Sequence, residues 1–559
     1  MITRLPLLGS ALLLFAGLTA SVAAAEALRA GAVAAPDRYG AQAADAILRA
    51  GGNAVDAAVA TAFTLAVSYP EAGNIGGGGF MTLLVNGQPY FLDYRESAPA
   101  AATPRMYLDR DGTPTKQSLV GNLAVAVPGT VRGMWEAHRR FARLSWQQDL
   151  APAIALARTG FIVPQMLITE RDQAAADFAS DTNFAAWSGR LRAGQRFVQP
   201  ELAATLQRIA ARGADEFYRG VTAEQVIRQM GRGPVKGLIT PADLARYRAI
   251  WRDPLQGSWR GFTVVTAPPP SSGGVALLQM LQMKEDAQRL FADRPLNSAQ
   301  YIHLVAEIEK RVFADRAAYL GDPDSVANPV QRLLDPHYLS RRAAEIDADR
   351  PSATSAVQPG LEKPQTTHFS IVDQSGNAVS NTYTLNGDFG AGVLVEEGGF
   401  LLNDEMDDFA AKPDSPNQFG VVGGEANAIA PGKRPLSSMT PTILMKAGRA
   451  QMILGTPGGS RIFTSVFQIL VAVYEYHLPL VRALAEPRYH HQLLPADTIF
   501  WEPYAAPPVA LSQQLERLGY TLQGQDFNGD VAAIEILANS PQVAPDPRGR
   551  GVSLIVPGR

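Results

Sequence analysis

Cysteine is absent from this 559-residue chain, which excludes disulfides, thiolate metal sites and a cysteine nucleophile. Charge is sparse: 18% of residues are charged and the formal net charge is −3. No basic stripe of the kind that tracks phosphates is visible, so nucleic acid is not an expected partner. Apolar runs of the ~20 residues needed to cross a bilayer are lacking as well. The longest, "LPLLGSALLLFAGL" from Leu5 to Leu18, follows Arg4 and leads into small residues with Ala23 and Ala25 in an A-x-A arrangement. That combination reads as a signal peptide over residues 1–25. It predicts an exported protein, periplasmic or secreted, with no membrane span once the signal is removed.

What is present is regular patterning. Asp37 to Ala50 and Asn53 to Val67 read as alanine-rich helices separated by "GGN", where glycine ends one and Asn53 caps the next. After the glycine run Gly76 to Gly79, "FMTLLV" and "PYFLDYR" flank an Asn-Gly turn, a strong hairpin signal that delivers Arg95 to the end of the second strand. The middle, Leu144 to Arg350, is mostly helical with Pro-rich breaks such as "APPPSSGG" and long amphipathic pieces such as Ser298 to Leu320. Thr354 to Pro364 has the composition of an exposed connector. Strands dominate after it. The fold class is α+β, built of stacked layers.

The stretch "TTHFSIVDQSGNAVSNTYTLN" predicts a hairpin of Thr366 to Val372 and Ala378 to Leu385, centred on Ser375. Thr366 then lies opposite Thr384, within the roughly 4.5–5.5 Å between Cβ atoms of directly facing residues. From this pattern alone Thr366 is an ordinary strand start. The chemical alternative is an N-terminal threonine whose own α-amine acts as base, which requires a cut of the Gln365–Thr366 bond. His368, two positions along the same strand, is a rival base but reads as readily as a packed residue, and it is given no catalytic role. His490 and His491 lack the ligand spacing of a metal site. "GTPGGSR", Gly455 to Arg461, reads as a strand-to-helix turn with Ser460 as cap, whose backbone N–H groups suit an oxyanion. "RPLSSM" and "NDEMDD" are, separately, polar loops.

Together these stretches resemble one family, the γ-glutamyltransferases (γ-glutamyltranspeptidases) of the N-terminal-nucleophile hydrolases. The resemblance runs from about Val33 to the C terminus and is densest in "GGNAVDAAVA", "GNIGGGGFM", "DYRESAPA", "PPPSSGG", "TTHFSIVD", "TYTLN", "LLNDEMDDF", "KRPLSSM" and "PGGSR".

The resemblance implies a four-layer αββα fold, one domain made of two chains after self-cleavage between Gln365 and Thr366: a large subunit, 26–365, and a small subunit, 366–559. It implies Thr366 as nucleophile, Thr384 as its supporting hydroxyl, and Gly458 and Gly459 as the oxyanion hole. Arg95, aided by Ser437 and Ser438, is expected to grip the α-carboxylate of a γ-glutamyl group, and Asn386, Glu405 and Asp408 its α-amine. Glutathione and other γ-glutamyl compounds are the implied donors, and water, amino acids or dipeptides the acceptors. No metal or organic cofactor is implied. Pro413 to Gly424 resembles a lid over the pocket, with Phe419 where related enzymes often carry tyrosine. Two rivals stand beside this reading. A cephalosporin or glutaryl acylase on the same scaffold need not recognise an α-amine, which Glu405 and Asp408 speak against. An unprocessed binding protein would run as a single full-length chain.

Overall fold

The computed structural model describes residues 27–178, 182–353, 366–412, 424–493, 495–525 and 529–558. Two antiparallel sheets dominate it. The first runs in the order Val552–Pro557, Ala30–Ala35, Thr367–Val372, Ala378–Thr384, Gly78–Val85, Gln88–Asp93, Ile250–Arg252. The second runs Ser540–Ala544, Ala532–Leu537, Arg449–Gly455, Thr442–Lys446, Phe262–Thr266, Leu255–Trp259. The two sheets lie face to face, and side chains such as Ala32, Ala34, Val372, Ile443, Ile453 and Ile534 fill the space between them. The first sheet interleaves strands from before and after residue 365, and the second pairs Thr442–Lys446 with Phe262–Thr266 across that point. Strand hydrogen bonding would therefore hold two chains together after a cut there.

Helices cover the outer faces. Arg38–Arg49 and Ala54–Ser68 pack on the first sheet. Asn53 caps the second of these in a reciprocal box with Asp56, as its sequence predicts. Every residue of Ala54–Ser68 is buried, the mark of a helix that is apolar all round. On the other side, Gly273–Asp286, Ala299–Tyr319 and Ile462–Tyr474 form the second helical layer over their own core. The architecture is αββα. Among the described residues, no helix is long and apolar enough to cross a membrane.

The hairpin expected around Asn86-Gly87 is present, with both turn residues at positive φ (51° and 75°), as a two-residue turn matched to strand twist requires. Two expectations need correction. The piece Ser298 to Leu320 is not amphipathic with a solvated charged face: Glu307, Glu309, Lys310, Arg311, Asp315 and Arg316 are all buried. Several of these charges find partners inside, as when Glu307 takes Lys310 and Arg311. Ser460 does not cap the helix after the glycine turn. Its hydroxyl donates to Gln492 Oε1 (3.0 Å), and the helix begins at Ile462 with no side-chain cap.

Candidate active site

The hairpin pairs Val372 with Ala378 and Thr367 with Tyr383. One rung further, Thr366 faces Thr384, and the Thr366 Oγ1 lies 3.5 Å from the Thr384 Oγ1. This is the register read from the sequence. At 3.5 Å the hydroxyls are neighbours rather than a strong hydrogen-bonded pair. Thr384 is fixed from several sides: its Oγ1 accepts from the Asn386 backbone N–H (2.9 Å), and its carbonyl accepts from Asn74 Nδ2 (2.8 Å). Gly77 makes this approach possible, since a Cβ there would lie 2.0 Å from the Thr384 carbonyl oxygen.

His368 has other partners. Its ring contacts Thr382 Oγ1 (2.7 Å) and Ser370 Oγ (3.1 Å), and burial pushes its pKa down to about 3. It is a neutral packing group. His490 is likewise buried, against Thr464 and Gln492.

The strand Arg449–Gly455 runs across this hairpin. A Cβ on Gly455 would strike the His368 ring at 2.3 Å, so the strand ends close above the start of the hairpin. From there the chain turns through Gly458 (φ 140°) and Gly459 (φ 55°), conformations that favour glycine. The Arg461 backbone N–H (3.0 Å) and Nε (3.4 Å) both donate to the Gly458 carbonyl, which fixes the turn.

Arg95 follows the strand Gln88–Asp93 and is buried. Its guanidinium contacts Glu405 through Nη1 and Asp408 through Nη2 as direct ion pairs. Burial alone would lower its pKa, but Glu405, Asp408 and Glu96 outweigh it and the pKa is raised, so the charge is secure. Burial raises the pKa of Glu405 against the opposing pull of Arg95. The Arg95 backbone is clamped too: its carbonyl accepts from Tyr247 Oη (2.8 Å) and Arg434 Nη1 (3.1 Å), and its N–H donates to Asp93 Oδ1 (2.9 Å).

Asn386 links the two halves of the site. Its N–H binds Thr384 Oγ1, while its Nδ2 donates to the Asp404 carbonyl (3.1 Å), one residue before Glu405. Ser437 and Ser438 belong to a loop laced to "PPPSSGG": Ser437 N–H donates to the Pro270 carbonyl (2.9 Å), and Ser272 N–H to the Ser437 carbonyl (2.7 Å). Arg316 donates to Ser438 Oγ (3.3 Å) and Ser272 Oγ (3.0 Å). Gln365, Phe419 and residues 413–423 of the lid-like segment lie outside the described residues, as does 1–25.

Sequence reasoning missed several supports. Asn403 Oδ1 accepts from the Glu405 N–H (3.0 Å), while its Nδ2 donates to the Gly76 and Ala126 carbonyls. Asn427 joins the Asp408 carbonyl (2.7 Å) to the Leu436 N–H (3.0 Å). Arg434 and Tyr247 hold Arg95 in place. Asn403 and Arg434 carried a signal, since they sit inside "LLNDEMDDF" and "KRPLSSM"; Asn427 and Tyr247 carried none.

Two facing antiparallel sheets between helical layers, with a threonine pair at the open end of a central hairpin, define the N-terminal-nucleophile hydrolase class. The family model described as Gamma-glutamyltranspeptidase matches residues 40–556. A "Glutathione hydrolase proenzyme" of Pseudomonas aeruginosa is 59% identical over 538 residues, covering 96% of both chains. Among solved structures, the Gamma-glutamyltranspeptidase from Pseudomonas nitroreducens complexed with L-DON is 57% identical with a TM-score of 0.57, covering 58% of this chain and 96% of that one. A cephalosporin acylase from Bacillus halodurans aligns with a TM-score of 0.80 at 26% identity, covering 94% of this chain and 96% of that one. The chain belongs to the gamma-glutamyltranspeptidase family.

Proposed function

We propose that this protein is a γ-glutamyltransferase and glutathione hydrolase that matures by cutting its own Gln365–Thr366 bond. Cleavage divides the exported chain, freed of residues 1–25, into subunits 26–365 and 366–559 that stay together as a heterodimer. Thr366 gains a free α-amine, whose reference pKa near 8 leaves a useful neutral fraction at physiological pH. That amine takes the hydroxyl proton as Thr366 Oγ1 attacks the γ-carbonyl of the donor. The N–H groups of Gly458 and Gly459 stabilise the tetrahedral oxyanion. The leaving amine departs with a proton, and a γ-glutamyl ester remains on Thr366. Water, or the amine of an amino acid or dipeptide, then attacks that ester and regenerates the threonine.

The observation that carries this reading is the cluster of buried Arg95 and Glu405 with partly buried Asp408, tied through Asn386 to Thr384 beside Thr366. A donor whose far end is a zwitterion needs a planar guanidinium for its α-carboxylate and carboxylates for its α-ammonium. Arg95, Ser437 and Ser438 serve the first; Asn386, Glu405 and Asp408 serve the second. The acylase alternative requires no such pair of signs. Release of the γ-glutamyl group from glutathione and other donors, with and without a dipeptide acceptor, tests the assignment. Faster cleavage of glutaryl than γ-glutamyl amides would overturn it in favour of the acylase.

A further inference from the structure

Outside the residues assigned to the active site, three helices bring Asp56, His138 and Asp149 together. Asp56 stands in the first turn of Ala54–Ser68, His138 in the last turn of Thr130–Phe141, and Asp149 in the first turn of Trp146–Thr159. One ligand atom from each lies within 4.8 Å of the other two. His138 Nδ1 is 2.9 Å from Asp149 Oδ2. Both aspartates are fully buried, and the His138 side chain keeps 12% of its surface exposed, a route by which an ion can enter.

The two carboxylates are held differently. Asp56 is anchored by the backbone: Oδ1 accepts from the N–H groups of Arg143 (3.0 Å) and Leu144 (2.8 Å), and Oδ2 from those of Asn53 (2.8 Å) and Arg143 (3.0 Å). Carboxylates that ligate metals are commonly hydrogen-bonded in this way, which fixes their orientation. Asp149 Oδ1, by contrast, accepts no hydrogen bond from any donor among the described residues, which is costly for a buried carboxylate. Burial pushes Asp149 up to about 7 against the hydrogen bond of His138, and the Asp56 charge adds to the rise. A divalent cation would neutralise both carboxylates and give the bare oxygen a partner.

We propose that Asp56, His138 and Asp149 bind a zinc ion that ties the three helices together. One imidazole with two carboxylates suits zinc, whereas calcium and magnesium take oxygen ligands. Zinc holds such atoms at about 2.0–2.2 Å, with water completing a four-coordinate shell, so the three groups draw closer around it than their present spacing. His138 binds through Nδ1 and keeps its ring proton on Nε2. The ring is steadied by Trp135, stacked on it at 6.1 Å and 19°, and by Trp146, edge-on at 5.2 Å. The ion is structural. No step at Thr366 passes through it, and the proposal stands apart from the reading of the active site.

The test uses the mature protein, free of any affinity tag and stripped with a chelator, titrated with zinc chloride. Calorimetry should show one equivalent bound, tryptophan fluorescence should change with it, and Tm should climb as zinc is added. Asp149→Asn and His138→Gln should each weaken zinc binding about tenfold or more and remove most of the Tm rise, with γ-glutamyl turnover without zinc unchanged. An X-ray absorption spectrum of the wild-type protein with one equivalent of zinc needs no variant. It should show nitrogen and oxygen ligands with the outer scattering of one imidazole. Three results overturn the proposal: no binding below millimolar zinc, a zinc shell without imidazole, or equal affinity in wild type and both variants. The last would mark an adventitious ion only, held by an exposed group such as His337 or His477.

Discussion

The Thr366 and Thr384 hydroxyls stand 3.5 Å apart, one rung beyond the last paired residues of their hairpin. Thr384 Oγ1 also accepts the Asn386 N–H, which holds its hydroxyl in place beside Thr366. Thr384→Val keeps the shape and removes the hydroxyl. A lost hydrogen bond to a group developing charge is worth about 1.5–3 kcal/mol, so kcat should fall roughly tenfold to a hundredfold. Donor KM should change little, and Thr384→Ser should restore most of the rate. Steady-state kinetics on the fully processed variant checks this; an unchanged kcat would remove Thr384 from the site.

Asp408 tests the recognition of the donor's charge. It is partly buried and paired with Arg95. Breaking one side of such a pair commonly costs several kcal/mol, so Asp408→Asn should depress turnover of γ-glutamyl amides by roughly a hundredfold or more. Glutaryl amides, which lack the α-amine, should lose far less. Comparing two substrates on one variant separates recognition from folding. Equal losses on both would refute the role of Asp408.

Glu307 ties the helix Ala299–Tyr319 to Ser352. Its carboxylate accepts from Ser352 N–H and Oγ and pairs with Lys310 and Arg311. Burial alone would raise its pKa, but these partners hold it at about 2. An unfolded glutamate titrates near 4.3, so the depressed pKa corresponds to roughly 3 kcal/mol of stability. The sign follows from the depression: the contribution is full above the unfolded pKa and fades as pH falls from about 4 toward 2. Glu307→Gln should therefore destabilise the protein clearly at pH 7, with a gap to wild type that narrows below about pH 4. Denaturant midpoints across that range measure it, and a gap independent of pH would contradict the assignment.

The parts of this structure legible in the sequence are those fixed by local rules. The hairpin register follows from two strands counted out from Ser375, so the meeting of Thr366 and Thr384 could be read without coordinates. The Asn86-Gly87 turn and the Asn53 cap are equally local. Arg95, Glu405 and Asp408 were legible as motifs, but not their direct pairing, which joins segments some three hundred residues apart. Asn427 and Tyr247 act through backbone carbonyls and amides, and a lone asparagine or tyrosine carries no pattern that announces such a bond; Asn403 lies inside "LLNDEMDDF", but the motif does not announce its bonds to Gly76 and Ala126. The charged residues of Ala299–Tyr319 misled for a related reason. Periodicity separates apolar from polar positions, but it does not say that another layer will cover the polar ones.

The central claim is that Thr366 is the nucleophile and becomes N-terminal by self-cleavage. N-terminal sequencing of the mature protein, resolved on a denaturing gel beside Thr366→Ala, tests it most directly. Two bands are predicted for wild type, the smaller beginning Thr-Thr-His-Phe, and one uncut, inactive band for Thr366→Ala. A small chain that starts elsewhere, or a Thr366→Ala protein that is cut and active, would contradict the account.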